Sequence, residues 1–154
     1  MYKKYSKVQH SNTYQSTIEF INYISKHINL KKKTLIDLAC GGGAPTVYLA
    51  EQYKSSSIIG IDIDSNLLKI ANNFKNKKKI KNIKFLKGSW YDVYKMKNID
   101  GVISFQSLSF IKGNLKKKIS VFHKKKFNFL AFSTLCTPFE VDFNINVDDF
   151  SKGE

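Results

Sequence analysis

Arginine is missing from this 154-residue chain: its 26 basic residues are all lysine. Arginine is the bidentate reader of phosphate and guanine, so its absence weakens a reading as a base-specific nucleic-acid binder. Cysteine is nearly absent as well. Cys40 and Cys136 are the only two, which suits a reducing compartment and offers no zinc-binding pattern, so no metal is expected. No apolar stretch approaches the roughly 20 residues that cross a bilayer. The opening Met1-Tyr2-Lys3-Lys4-Tyr5-Ser6 leads into no compact apolar run, so no secretory leader is expected. Repeats, Pro/Ser linkers and sharp composition shifts are lacking too. These absences leave one cytoplasmic domain of ordinary size, without a membrane span.

What is present suits a packed core. Apolar residues make up 42%, charged residues 25% and aromatic residues 14%, close to the globular average. The net charge of +14 has two readings. Lysine, asparagine and isoleucine rise together in AT-rich coding sequence, and an acidic partner such as nucleic acid also favours lysine. The lysine-rich stretches 31–33, 75–81 and 116–126 fall between apolar segments and read as solvated helix ends and loops.

Four helices are predicted. Ser16-Thr17-Ile18-Glu19 has the spacing of a capping box, followed by Ile18, Ile21, Ile24 and Ile28 on one face. Pro45 suits the first turn of a helix carrying Val47, Ala50 and Tyr53. Asp64 or Ser65 can cap a helix with Leu67, Ala71 and Phe74, and Leu115, Ile119 and Phe122 repeat that spacing. Between the helices lie strand-length apolar runs at 34–38, 57–61, 83–86, 101–105 and 127–132. Strands apolar at consecutive positions are buried on both faces, which predicts an α/β fold, a three-layer α/β/α Rossmann-like sandwich with a mostly parallel sheet. Residues 1–33 read as a leader and helix packed on the core, and 34–154 as the main domain. The tail alternates Val141, Phe143, Ile145 and Val147 with polar residues, the pattern of one half-buried strand.

The most informative segment is Asp37-Leu38-Ala39-Cys40-Gly41-Gly42-Gly43-Ala44-Pro45, a buried strand running through a glycine turn into a helix. Glycine permits positive φ and lets a ligand approach bare backbone. A dinucleotide fingerprint needs a third glycine where Thr46 stands. The pattern Asp-x-x-x-Gly-x-Gly is met instead. A carboxylate at Asp37 can accept from an ammonium group or hold the loop's own amides, and it would oppose a pyrophosphate. Asp62 ends the second apolar run, 19 residues after Gly43, where a carboxylate suits both ribose hydroxyls. Capping the next helix is its alternative role, for which Asp64 is better placed.

On these residues the chain resembles the class I S-adenosylmethionine-dependent methyltransferases over 34–133. Asp37 to Gly43 is similar to the family's first motif and Ile59 to Asp62 to its acidic second-strand end. Phe85-Leu86-Lys87-Gly88-Ser89-Trp90 and Asp100-Gly101-Val102-Ile103-Ser104-Phe105 are similar to the third- and fourth-strand motifs. The resemblance implies S-adenosyl-L-methionine as cofactor. It implies a binding set of Asp37, Ala39, Cys40, Gly41, Gly43, Asp62, Ile63, Ser89, Trp90 and Phe105. Asp37 and the glycine loop would hold the methionine portion, Asp62 the ribose, and Ser89 with Trp90 the adenine edge. Ser89 departs from the family's usual Asp, and Asp92 is the candidate to substitute for it. Gln106 would line the space between cofactor and acceptor. The stretch from Trp90 through Ser104 and the tail also resemble small bacterial methyltransferases of surface-polysaccharide gene clusters.

Methyl transfer to a hydroxyl also needs a general base. His10, Glu140 and Asp142 are the candidate bases, Gln106 is a further catalytic candidate lining the acceptor space, and His27 and His123 read as helix-end residues. An aromatic and polar rim favours a small-molecule or sugar acceptor. RNA is the alternative if lysines gather at the glycine loop, and a non-catalytic cofactor-binding module is a third reading. Only one strand follows the fifth, so the chain is expected to be a C-terminally shortened form. Otherwise a second copy or partner would cover the open edge of the fifth strand.

Overall fold

A computed structural model of the chain describes residues 13–107, 120, 122 and 127–133. Helix α1 (Gln15–His27) leads into β1 (Thr34–Leu38), α2 (Ala44–Gln52), β2 (Ser57–Asp62) and α3 (Ser65–Lys77). Then come β3 (Ile83–Lys87), the single turn α4 (Trp90–Val93), β4 (Gly101–Phe105) and β5 (Phe129–Ser133). All neighbouring strands are parallel, in the order β3-β2-β1-β4-β5. This is the Rossmann-like sandwich expected from the alternating pattern.

The burial of each strand follows its place in the sheet. Central β1 and β4 are buried along nearly their whole length, whereas edge strand β3 exposes Lys84, Leu86 and Lys87. Successive side chains point to opposite faces, so the core divides in two. On one face Leu35, Ile58, Ile83 and Ile103 pack with Ile21 and Ile24 of α1 and Val47 and Ala50 of α2. On the other, Ile36, Leu38, Ile61 and Val102 pack with Val93 and Phe122. Phe122 is 2% exposed, and burying such a ring stabilises by about 1.5–3 kcal/mol.

Local details depart from the sequence expectations in three places. Ser16 does not cap α1, because the cap falls two residues earlier, at Tyr14, with no side-chain cap bond. Ser16 lies inside the first turn and its hydroxyl meets Gln106 instead. The fifth strand starts at Phe129 rather than Phe127, since Asn128 turns its N–H onto the Asp100 carbonyl at 2.8 Å. The turn of helix α4 breaks a stretch for which only a strand motif was expected. Its origin is local: the Asp92 carboxylate accepts both the backbone N–H and the hydroxyl of Ser89, each at 2.8 Å. In the expected fourth helix, Ser120 and Phe122 are helical, while Leu115 and Ile119 lie outside the described residues. The tail strand 141–147 also lies outside them. No helix among the described residues is long and apolar enough to cross a membrane.

Candidate cofactor site at the strand ends

Strand order reverses between β1 and β4: β2 and β3 lie to one side, β4 and β5 to the other. The carboxyl ends of β1 and β4 therefore bound the crevice where open α/β sheets take ligands. Residues 39–43 bend there from β1 into α2, with left-handed backbone at Ala39, Gly41 and Gly43 (φ +61, +53 and +83).

Two glycines serve different ends. A Cβ on Gly43 would meet Ala71 Cβ and Phe85 Cζ at 2.8 Å each, so this position is needed for packing against α3 and β3. A Cβ on Gly41 would meet nothing within 4 Å; its side faces open space. The bend is fastened by its backbone, with Cys40 N–H donating to the Ile61 carbonyl at 3.0 Å and Gly43 N–H to the Cys40 carbonyl at 2.9 Å.

Asp62 is the second fastening. Its Oδ2 accepts the Gly41 N–H at 2.7 Å and its Oδ1 the Asp64 N–H at 2.9 Å. Each oxygen keeps acceptor capacity, since a carboxylate has about four lone-pair sites. The following cap is Asp64, which accepts from Asn66 and Leu67. The β3–α4 turn joins the same corner through Gly88 N–H to the Asp62 carbonyl at 2.9 Å.

Asp37 lies deeper, 1% exposed. Thr46 Oγ1 donates to its Oδ2 at 2.5 Å, and its Oδ1 has no partner among the described residues. Burial pushes the Asp37 carboxyl up from 3.8 to about 7, against the pull of Thr46 and with a smaller push from Asp62. The residue that fills the third-glycine position of a dinucleotide fingerprint is thus the partner of the buried acid. Thr46 escapes a reading based on motifs; its place in the first turn after the loop, facing the strand it follows, is the signal that would find it. Burial also pushes the Cys40 thiol up, with Asp37 and Asp62 adding to the effect, so Cys40 is a packed thiol rather than a nucleophile.

The remaining expected residues sit on the same rim with mixed surroundings. Ile63 is 71% exposed beside Asp62. Trp90 stacks on Phe132 with centroids 5.7 Å apart and meets Phe122 edge-on at 5.2 Å. Ser89 and Asp92 are bonded to each other. Phe105 meets Phe20 of α1 edge-on at 5.7 Å. Gln106 holds left-handed backbone (φ +50) and is tied at both ends. Its N–H donates to the Ser133 carbonyl at 2.9 Å, and its Nε2 to Ser16 Oγ at 3.3 Å. Ser104 Oγ donates to the Leu38 carbonyl at 2.7 Å and meets the Ser107 hydroxyl, locking β4 to β1 at the crevice. Sequence reasoning placed Ser104 in the fourth-strand motif but gave it no partner. His10, Glu140 and Asp142 lie outside the described residues. No cluster of metal-ligating side chains occurs among the described residues.

Charge is sorted by end. Among the described residues Lys87 is the one lysine at the carboxyl end of a strand. Asp62 and Asp64 give this end an acidic character that suits a cation, with Asp37 buried beneath them and Lys95 3.9 Å from Asp92.

A parallel α/β sheet with a glycine bend and an acidic strand end at its switch point defines a nucleoside-binding α/β domain. The profile of a methyltransferase domain matches residues 29–136, and the chain belongs to that family, whose cofactor is S-adenosylmethionine. The 235L protein of Invertebrate iridescent virus 6, assigned as a methyltransferase, is 40% identical over 50 residues, covering 32% of this chain and 19% of that protein. The Saccharomyces cerevisiae protein CRG1, assigned as an S-adenosylmethionine-dependent methyltransferase, is 28% identical over 110 residues, 69% of this chain and 37% of its own length. The crystal structure of MccD protein superposes with a TM-score of 0.64 at 22% identity, over 80% of this chain and 56% of that one. The chain thus spans well under half the length of these two curated relatives.

Proposed function

We propose that the chain is an S-adenosylmethionine-dependent methyltransferase acting on a small-molecule or carbohydrate acceptor in the cytoplasm. The observation that carries the reading is the Asp62–Gly41 bond at 2.7 Å. It holds a bare-backbone bend beside a carboxylate with spare lone pairs, at a crevice with no lysine on its described β1, β2 and β4 margins. The residues fit the cofactor. Asp62 can accept the ribose hydroxyls, Gly41 leaves room for close approach, and the unpartnered Asp37 Oδ1 supports a cationic amino-acid portion. Ser89, Trp90 and Ile63 border the adenine side.

S-adenosylmethionine supplies the electrophilic methyl carbon. The protein's share is alignment, which can remove roughly 7–11 kcal/mol of barrier. The glycine bend fixes the cofactor side, and Gln106, pinned between Ser133 and Ser16, borders the acceptor side. Among the described residues the rim is acidic, which disfavours a polyphosphate acceptor and weighs against RNA as the substrate. A polysaccharide-type acceptor is the narrower form of this proposal.

The test is thermal protection by S-adenosylmethionine, followed by transfer of labelled methyl to a panel of hydroxylated small molecules and sugars. Protection with transfer supports the reading. Protection without transfer to any acceptor, RNA included, would instead support a non-catalytic cofactor-binding module.

A further inference from the structure

In a parallel α/β fold every helix-to-strand connection emerges at the amino ends of the strands, opposite the ligand rim. Here those connections carry Lys31, Lys32 and Lys33 before β1, Lys54 before β2, and Lys79 and Lys81 before β3. Hydrogen bonds fasten the three turns side by side. The backbone N–H groups of Lys32 and Lys33 donate to the Ser55 and Ser56 hydroxyls, each at 3.3 Å. Asn82 Nδ2 reaches the carbonyls of Ala50, Tyr53 and Ser56 at 3.2, 3.2 and 3.0 Å. The lysines therefore project from one fixed base. All but Lys33 are exposed. The carboxylates at this end, Glu51 and Asp100, are taken by Lys78 at 3.1 Å and Lys33 at 3.2 Å. The other five have no ion-pair partner among the described residues.

Two ordinary causes of surface lysine fail to produce this arrangement. Composition bias raises lysine everywhere, yet among the described residues the opposite end carries only Lys87 and Lys95, and Lys95 lies 3.9 Å from the Asp92 carboxylate. Helix dipoles favour cations in the last turn, which accounts for Lys26, Lys75 and Lys77 but not for lysines in the turns beyond. Lys32 and Lys79 moreover hold left-handed backbone, φ +56 at each, a conformation that glycine adopts at less cost.

We propose that this end of the molecule docks the phosphodiester backbone of a nucleic-acid duplex, through lysine point charges and without reading sequence. A protein partner is disfavoured because lysine is depleted from protein interfaces and these turns expose no large apolar side chain. A single strand is disfavoured because they expose no aromatic ring on which bases stack. The proposal rests on the fold and the charge, and stands apart from the methyltransferase reading.

Fluorescence anisotropy with labelled RNA and DNA duplexes of equal length tests it on the full chain. Binding should weaken with salt by a logarithmic slope of about −0.9 per engaged lysine, so about −4 to −5 in all. A variant carrying Lys31→Gln, Lys32→Gly, Lys79→Gly and Lys81→Gln removes charge while easing two left-handed residues. It should melt no lower than the parent, bind S-adenosylhomocysteine as the parent does, and lose at least about tenfold in duplex affinity near 50 mM salt. A comparison variant with Lys69→Gln, Lys84→Gln and Lys87→Gln should keep parental duplex affinity. Equal losses in both variants would overturn the proposal, as would no duplex binding at low salt. Capture by phosphatidylserine vesicles with no duplex binding would overturn it too.

Discussion

The Asp62 carboxylate at the end of β2 holds the backbone N–H of Gly41 in the bend after β1, at 2.7 Å. One strand end thereby sets the shape of its neighbour's loop. Asp62 to Ala removes the acceptor for that amide and for the Asp64 N–H. Losing one such partner costs about 1–3 kcal/mol, and the lower half of that range is expected at this partly open rim. Chemical denaturation should show the loss, together with at least about tenfold weaker S-adenosylhomocysteine binding.

The two glycines of the bend should separate stability from binding. Gly43 to Ala drives a Cβ to 2.8 Å from Ala71 and Phe85, so a loss of roughly 2–4 kcal/mol is expected from overpacking plus left-handed strain. Gly41 to Ala meets no neighbour and should lose only about 1–2 kcal/mol from its backbone. Its methyl would enter the open space, so cofactor affinity should fall further than stability. Denaturation and calorimetry on the two variants check this.

Asp37 makes the ligand-free protein sensitive to pH. Its carboxyl is raised from 3.8 to about 7 by burial. Between those values the folded chain keeps a proton that the unfolded chain has released, so stability falls as pH rises through that window. The full penalty, on the order of 4 kcal/mol, is present above pH 7. Asp37 to Asn should flatten this slope. Thr46 to Val, which removes the donor to Oδ2, should destabilise more at pH 8 than at pH 5. A cationic ligand favours the ionised acid, so its affinity should rise with pH across the same window in the parent and not in the Asp37 to Asn variant.

Gln106 offers a test of the acceptor side. Its left-handed backbone suits glycine, so Gln106 to Gly should not lower the stability by more than the lost Ser16 contact, about 1 kcal/mol by chemical denaturation. S-adenosylhomocysteine affinity should stay within about twofold, while methyl transfer to any acceptor found for the parent should drop.

Much of this layout is legible because strands covered on both faces announce themselves. Thr34–Leu38 and Gly101–Phe105 are each apolar at three of five positions, two of them adjacent, and both match the observed strands residue for residue. The Asp64 cap is equally visible, since an acid directly before an apolar helix face has few other uses. The same local grammar misleads at Ser16: the Ser-x-x-Glu spacing is present, but the helix that buries Thr17, Ile21 and Ile24 has its cap two residues earlier, at Tyr14. The related Ser89-x-x-Asp92 spacing does open a helical turn, which engages Asp92 Oδ2 with Ser89. What sequence could not convey is pairing across distance. Thr46 beneath Asp37, Ser104 against Leu38 and Ser16 against Gln106 each join residues on different elements.

Isothermal titration of the parent chain and of its Asp62 to Ala variant, each with S-adenosylhomocysteine and with NAD, is the most direct trial of the pocket. The account predicts saturable binding of S-adenosylhomocysteine to the parent, weakening of at least about tenfold in the variant, and no NAD binding to either. Tighter binding of NAD than of S-adenosylhomocysteine, or equal S-adenosylhomocysteine affinity in the two proteins, would contradict it.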